Sequence, residues 1–216
     1  ALDSSGTTGY TLNRDTTVNS FDISTSLLST NVNQTTLLSG ATPTSILPLS
    51  THSYIPEPGR SAIADLTGSP PKLNQEFGPV TNGTYVVGIN GAPRVYALGS
   101  DSSGNGQAFT IETATNTFEQ TPIAVGKNPV YGVMTADAKR VFVMNKGDGT
   151  VSVINAQTNQ LDSIPGTGLS YIPVGVNPVW ADFAPTRSEM VVANAGDGTS
   201  PGTVSIISIP LCSATA

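Results

Sequence analysis

The chain has 216 residues, which suits one large domain or two small ones and is long enough to bury a core without a metal or disulfide. Charged residues make up 11% of it, against about 25% in an average soluble domain. Its nine Lys and Arg are scattered and its net charge is −6. Binding to nucleic acid or to an anionic membrane needs clustered cations, and insertion needs about 18 apolar residues in a row, so none of these is expected.

Uncharged polar residues replace the missing charges. The chain holds 28 Thr, which suit half-exposed strands, and 22 Gly, 15 Asn and 16 Pro, which suit turns. Helix-forming Glu and Lys are scarce. This balance predicts an all-β protein of many short strands joined by turns.

The same composition favours the cell exterior, the cell surface or the periplasm. Residues 1–9 are small and polar, which would suit the start of a mature chain after removal of a signal peptide. The single cysteine, Cys212, cannot form a disulfide within the chain, so it is either an incidental thiol or a bridge to another chain or to sequence outside this segment.

The first half predicts two units of the all-β fold, at residues 9–40 and 41–81. In the first, residues 9–15 and 17–22 form two predicted strands. In the second, a stretch at 50–81 contains five prolines, which remove hydrogen-bond donors from a sheet. We therefore expect this stretch to be an irregular insertion with short strands at most. The prolines are Pro56, Pro58, Pro70, Pro71 and Pro79.

Three further units follow, at residues 82–126, 127–175 and 176–210. The first contains three predicted strands at 84–89, 93–98 and 107–112.

The last two units repeat one another. Both contain Val-Gly-x-Asn-Pro, a strand dense in Val and Met, the turn Asn-x-Gly-Asp-Gly-Thr, and a strand beginning Thr-Val-Ser. The first three elements recur at an offset of 49 and the fourth at 53, because four extra residues lengthen one turn. The pairs are 123–130 with 172–179, 140–150 with 189–199, and 150–154 with 203–207.

This pattern resembles the YVTN family of β-propeller repeats, part of a superfamily of lactonase-like seven-bladed propellers. Residues 140–145 and 190–194 correspond to the Tyr-Val-Thr-Asn motif that gives the family its name. The resemblance is clear over residues 120–210. It implies four-stranded antiparallel blades. About five are visible, with both terminal blades incomplete. The chain is then a part of a longer protein, a small propeller, or a propeller completed by a neighbour, and we favour the first.

Four residues of the second unit are the candidates for catalysis: His52, Arg60, Asp65 and Glu76. His52 with Glu57, Asp65 and Glu76 could furnish a metal site or an acid–base pair. A single histidine excludes a multi-histidine zinc site, and no nucleophile elbow is present. A solvated loop histidine is the simpler interpretation.

Two glycine-rich turns carry the weak metal candidates, Asp148 and Asp197. Asp and Asn offer oxygens to a hard cation, but a calcium loop needs further ligands, and closing the turn is the simpler role. Val-Gly-x-Asn-Pro lacks the glycines of a phosphate loop. We interpret it as the connection from the outer strand of one blade to the inner strand of the next.

Three functions are compatible with these observations. The resemblance implies a non-enzymatic secreted or cell-envelope propeller that binds or assembles, with other chains or further copies of itself as partners at exposed blade edges. It also allows a hydrolase of sugar lactones or a scaffold for a redox partner. We expect no cofactor.

Overall fold

A computed structural model describes residues 1–25, 32–163, 167–184 and 188–209. Within these ranges the protein has twenty β-strands and one short 3₁₀ helix, Pro58–Arg60. The strands form five antiparallel sheets, each built from strands that are neighbours in sequence. The all-β fold of antiparallel blades is thus confirmed.

The first two sheets occupy the N-terminal part of the chain. The first contains β1 (Thr8–Leu12), β2 (Thr17–Asp22) and β3 (Val32–Thr36). The second contains β4 (Leu47–Pro48), β5 (His52–Glu57), β6 (Ala62–Thr67) and β7 (Lys72–Phe77).

The remaining sheets follow in chain order. The third contains β8 (Tyr85–Val87), β9 (Arg94–Ser100), β10 (Gly106–Glu112), β11 (Thr117–Phe118) and β12 (Ile123–Val125). The fourth contains β13 (Pro129–Met134), β14 (Arg140–Asn145), β15 (Thr150–Asn155), β16 (Gln160–Leu161) and β17 (Tyr171–Pro173). The fifth contains β18 (Pro178–Ala184), β19 (Glu189–Asn194) and β20 (Thr203–Ser208).

Four apolar clusters hold successive sheets together, one at each junction from the first sheet to the fifth. Counting the described residues only, the second, third and fourth sheets are therefore covered on both faces, and the first and fifth on one face each. Alternating side chains of a strand point to opposite faces, so near-continuous apolar runs such as Val141–Met144 in β14 serve two junctions at once.

The repeated Val-Gly-x-Asn-Pro segments connect one sheet to the next. Asn128 and Asn177 adopt positive φ values of 47° and 55°, and the prolines that follow them open β13 and β18, the first strands of their sheets. Asn tolerates this left-handed conformation better than most residues. The predicted connecting role is what the structure shows.

The prediction of an irregular insertion at residues 50–81 is wrong, because this stretch contains three six-residue strands, β5, β6 and β7. The prolines lie at positions where no backbone N–H is needed for a hydrogen bond to a neighbouring strand. Pro58 opens the 3₁₀ helix, and Pro70 and Pro71 occupy the turn between β6 and β7. Pro56 lies in β5, but its carbonyl accepts from the Thr44 amide, so the missing N–H faces the side beyond the end of β4.

Both terminal sheets have three strands in the described ranges. The exact blade boundaries stay a prediction, since the sheets define strands and not where a blade ends. Cys212 lies outside the described residues. No helix within them is long and apolar enough to cross a bilayer.

Candidate functional site

The four catalytic candidates all lie in or beside the second sheet, but on its two opposite faces. Cross-strand pairing places Tyr54 opposite Asp65, and Ala64 opposite Glu76. Adjacent residues of a strand point to opposite faces, so Asp65 and Glu76 point apart. The structure forms two separate pairs, His52 with Asp65 and Arg60 with Glu76.

Asp65 is a buried carboxylate on the face toward the third sheet, with 0% of it exposed. His52 Nδ1 lies 2.8 Å from Asp65 Oδ1, and the side-chain amides of Asn74 and Asn116 both donate to Asp65 Oδ2 at 2.8 Å. Asn116 belongs to a turn of the third sheet, and its Oδ1 accepts from the Tyr54 hydroxyl at 2.8 Å. Asp65 thus fastens two sheets, and these bonds occupy both of its oxygens.

The same arrangement recurs between the third and fourth sheets. Asn159 from the fourth sheet accepts at Oδ1 from the hydroxyls of Tyr96 and Thr110, and its Nδ2 donates to Glu119. Tyr96 and Thr110 are cross-strand partners, as Tyr54 and Asp65 are. Burial raises the pKa of Tyr96 to about 12, which keeps this hydroxyl protonated as a donor. We call the Asp65 and Asn159 networks the inter-sheet clasps, and their repetition indicates a structural role.

The opposite face of the second sheet carries a second cluster of charges, toward the first sheet. Arg60 donates to Glu76 through Nε and Nη2 at 2.7 and 2.8 Å, and through Nη1 to the Ser39 carbonyl at 2.9 Å. Hydrogen bonding to Arg60 lowers the pKa of Glu76. This geometry is that of a bidentate ion pair, and both groups are committed to each other.

Glu57, which the sequence analysis groups with His52 as a possible metal or acid–base residue, belongs to this cluster and lies on the face of the sheet opposite to Asp65. It is fully buried, and neither of its carboxyl oxygens has a hydrogen-bond partner among the described residues. Burial, with the neighbouring Glu76, raises the pKa of Glu57 from 4.5 to about 8, so the group is largely neutral at pH 7.

The two metal candidates lie in turns of different sheets, and the structure does not bring them together. Asp148 Oδ2 accepts the backbone N–H of Lys127 at 2.6 Å, which ties the turn to the preceding connection. Asp197 Oδ1 accepts from the amides of Thr199 and Ser200 within its own turn. Across the described ranges, His, Cys, Asp and Glu form no group of three that could hold a metal ion.

An open groove of about 850 Å³ lies between the first and second sheets. Hydroxyl-bearing residues dominate its lining, among them Ser20, Ser50, Thr51, Ser53 and Thr67. Its volume is in the range of small-molecule sites. His52 contributes to the rim, but Arg60 and Glu76 do not, so the groove does not gather the predicted catalytic residues.

The fifth sheet exposes its apolar side chains. Val204 and Ile206 of β20 are each 66% exposed, and Trp180 of β18 is 45% exposed. Among the described residues β20 pairs with β19 alone. An exposed strand edge with apolar side chains favours contact with another polypeptide.

Comparison with known proteins supports the fold. No protein-family model matches the chain, and no curated protein matches it by sequence. Among solved structures, it is similar to Kuenenia stuttgartiensis hydrazine synthase (TM-score 0.64, 14% identity, 87% of this chain and 49% of that one). It is also similar to a functionally unknown protein from Desulfotomaculum acetoxidans (0.66, 14%, 96% and 67%) and to a candidate 6-phosphogluconolactonase from Bacteroides uniformis (0.64, 12%, 83% and 55%).

These neighbours include propeller-like folds, so the likeness places the five sheets in that architecture. At such low identity the likeness concerns the fold alone. The chain spans about half the length of the hydrazine synthase and lactonase-like chains.

Proposed function

We propose that this chain is a non-enzymatic β-propeller of the YVTN type that serves a binding or assembly role. The observation that carries the proposal is the fifth sheet, where, among the described residues, β20 pairs with β19 alone and Val204 and Ile206 are exposed. Proteins that bind a partner through a β-sheet use such surfaces. The backbone N–H and C=O groups of an edge strand can form hydrogen bonds with another strand, and exposed apolar side chains gain by burial against it.

The state of the catalytic candidates supports the same proposal. Asp65 accepts three side-chain donors and Glu76 is held by Arg60, so both carboxylates are occupied by structural partners. A lactone hydrolase needs its catalytic acid and base to face the same cavity. The His52–Asp65 and Arg60–Glu76 pairs instead lie on opposite faces of one sheet. The low charge and the Thr, Ser and Asn content favour a place outside the cytoplasm.

Sedimentation velocity of the purified chain over a hundredfold range of concentration tests the proposal. We expect concentration-dependent association, or binding of a protein partner at the fifth sheet. In parallel, a gluconolactone hydrolysis assay of the wild type and of His52→Ala tests the hydrolase alternative. Turnover by the wild type that is lost in His52→Ala, from a chain that stays monomeric, would favour the hydrolase instead.

A further inference from the structure

The tyrosine of the inter-sheet clasps recurs in the first sheet. In three sheets the third residue of one strand is a tyrosine that packs toward the next sheet, namely Tyr10 in β1, Tyr54 in β5 and Tyr96 in β9. Cross-strand pairing places Ser20 beside Tyr10, as it places Asp65 beside Tyr54 and Thr110 beside Tyr96. Tyr10 and Ser20 are therefore the first sheet's counterpart of a clasp pair.

The asparagine that completes a clasp has no counterpart at the first junction. Asn116 directly precedes β11 and Asn159 directly precedes β16, the fourth strands of their sheets. In the second sheet the residue directly before the fourth strand, β7, is Pro71, which has no side-chain amide. The first junction therefore holds the tyrosine and the hydroxyl of a clasp without the carboxamide that meets them elsewhere.

The groove between the first and second sheets opens at this position, and Tyr10, Ser20 and Pro71 all line it. Ser20 is 2% exposed, and among the described residues its hydroxyl has no hydrogen-bond partner. The Tyr10 hydroxyl interacts with Ser53 across the junction, and burial raises the pKa of Tyr10, which keeps the hydroxyl protonated as a donor. The groove therefore ends on hydroxyls that are ready to form hydrogen bonds.

Ser53 is a hydroxyl at a position that is apolar in other sheets. It is the second residue of β5, and the second residues of β9 and β14 are Val95 and Val141. Both valines are fully buried in apolar clusters, and Ser53 is itself only 5% exposed. This part of the groove therefore favours a ligand that forms hydrogen bonds over an apolar one.

The charges of the lining restrict the ligand further. Among the described residues that line the groove there is no Lys or Arg, and the carboxylates are Asp3 and Asp22. A hydrogen bond from the Ser5 hydroxyl, together with backbone amides, lowers the pKa of Asp3 to about 2, so this group is ionised at neutral pH. His52 already faces Asp65. An anionic ligand would meet like charges here, which oppose binding.

The walls of the groove are held in place by hydrogen bonds of the protein itself. Thr35 Oγ1 donates to the Pro71 carbonyl, which ties β3 to the turn between β6 and β7. The Ser50 amide donates to Asn90 Oδ1 at 3.0 Å, which ties the turn between β4 and β5 to the third sheet. A site that is already ordered loses less conformational entropy when a ligand binds.

We propose that this groove binds a neutral saccharide whose acetamido group takes the place of the clasp asparagine. The acetamido group of an N-acetylated amino sugar is a carboxamide, so its carbonyl can accept from the hydroxyls of Tyr10 and Ser20, as Asn159 Oδ1 accepts two hydroxyls in its clasp. Sugar hydroxyls both donate and accept, as do the Ser and Thr hydroxyls of the lining. Leu49 and Pro70 supply apolar contact for the acetamido methyl group. The site belongs to the first and second sheets, so the proposal does not rest on assembly through the fifth.

Calorimetric titration of the purified chain with two trisaccharides tests the proposal, with circular dichroism to verify folding of each variant. Chitotriose carries acetamido groups, and cellotriose has the same linkage and lacks them. We expect chitotriose to bind, and cellotriose to bind at least about fivefold more weakly. Ser20→Ala and Tyr10→Phe should each weaken chitotriose binding about fivefold, because each removes one donor. Tyr96→Phe is the matched control, the same position in a complete clasp, and should leave binding unchanged.

A wild type that does not bind chitotriose at millimolar concentration would overturn the proposal. Equal binding of cellotriose would overturn the role of the acetamido group, and a loss in Tyr96→Phe with none in Ser20→Ala would place the sugar outside this groove. Sedimentation separates this proposal from the proposed function. An associating chain that binds neither trisaccharide loses the groove proposal alone, and a monomeric chain that binds chitotriose loses self-association alone.

Discussion

Successive sheets of this protein are joined in two different ways. The junctions between the second and third sheets and between the third and fourth combine an apolar cluster with an inter-sheet clasp centred on Asn116 or Asn159. At the junction of the fourth and fifth sheets, the equivalent tyrosine position holds Phe142, whose ring meets Phe183 edge-on at 5.7 Å. In the junctions that have a clasp, directional hydrogen bonds between side chains add to the burial of apolar side chains.

The two kinds of junction should respond differently to substitution of a buried residue. A buried polar network has a high cost when one member is removed, because its partners are left without hydrogen bonds. An apolar junction loses contact area and gains a cavity, and its neighbours relax in part. Substitutions at equivalent positions can therefore separate the two kinds of contact.

Removing the carboxylate of the first clasp should have the largest effect. Asp65→Ala leaves His52, Asn74 and Asn116 without their acceptor in a buried site, and we expect a loss of about 4 kcal/mol of unfolding free energy. Urea unfolding measures it. Thr110→Ala, at the equivalent position of the third sheet, should lose about 1 kcal/mol, because Tyr96 still donates to Asn159. Equal losses would contradict the importance of the charge.

At the apolar junction, Met190→Ala should lose about 3 kcal/mol, since Met190 is fully buried between the fourth and fifth sheets. The same urea titration measures it. The exposed Val32→Ala serves as control and should change stability by less than about 0.5 kcal/mol. A Met190→Ala protein as stable as the control would show that the fifth sheet is not firmly packed.

The buried Glu57 should make stability depend on pH. Its pKa is raised to about 8 in the folded state from 4.5, so the folded protein holds a proton that the unfolded chain has released. Its stabilising contribution is complete below pH 4.5 and is lost as pH rises through 8. We expect the free energy of unfolding to decline over this range, and Glu57→Gln should flatten the decline. Thermal unfolding at several pH values decides, and a decline that persists in Glu57→Gln would contradict it.

The smallest expected effect compares the two tyrosines of the clasps. Tyr54→Phe removes the donor to Asn116 Oδ1 and should cost about 1 kcal/mol. Tyr96→Phe should cost about 0.5 kcal/mol, because Thr110 also donates to Asn159 Oδ1. The difference is best measured in the two single variants under identical urea conditions. A reversed order would mean that the second clasp depends on tyrosine more than on threonine.

Sequence alone predicted the fourth and fifth sheets well, because a repeat at a constant offset reports architecture directly. It failed at residues 50–81, where proline was taken to exclude strands. Pro56 is tolerated because β4 ends before reaching it, and that is a property of the neighbouring strand rather than of the proline. The amino-acid composition of a segment does not reveal which of its backbone N–H groups need a hydrogen-bond acceptor in a neighbouring strand.

The candidate site shows a similar limit. His52, Arg60, Asp65 and Glu76 are close in sequence, and the sequence interpretation took them as one cluster. Strand register decides which face each side chain occupies, and a bulge in β6–β7 pairing between Asp65 and Leu66 changes that register. The clasp partner Asn116 lies 51 residues from Asp65, so nothing local connects the two.

The glycines of the sheet connections have a consequence for how such a chain can change in length. A side chain on Gly126 would collide with the Asn145 side chain at 2.5 Å, and one on Gly175 with Asn194 at 2.6 Å. In each case the glycine ends one repeat unit and its asparagine lies in the second strand of the next unit. A copied unit therefore brings the same asparagine to the glycine before it and the same glycine to the asparagine after it, so the chain can gain or lose a blade without a compensating substitution at the joint.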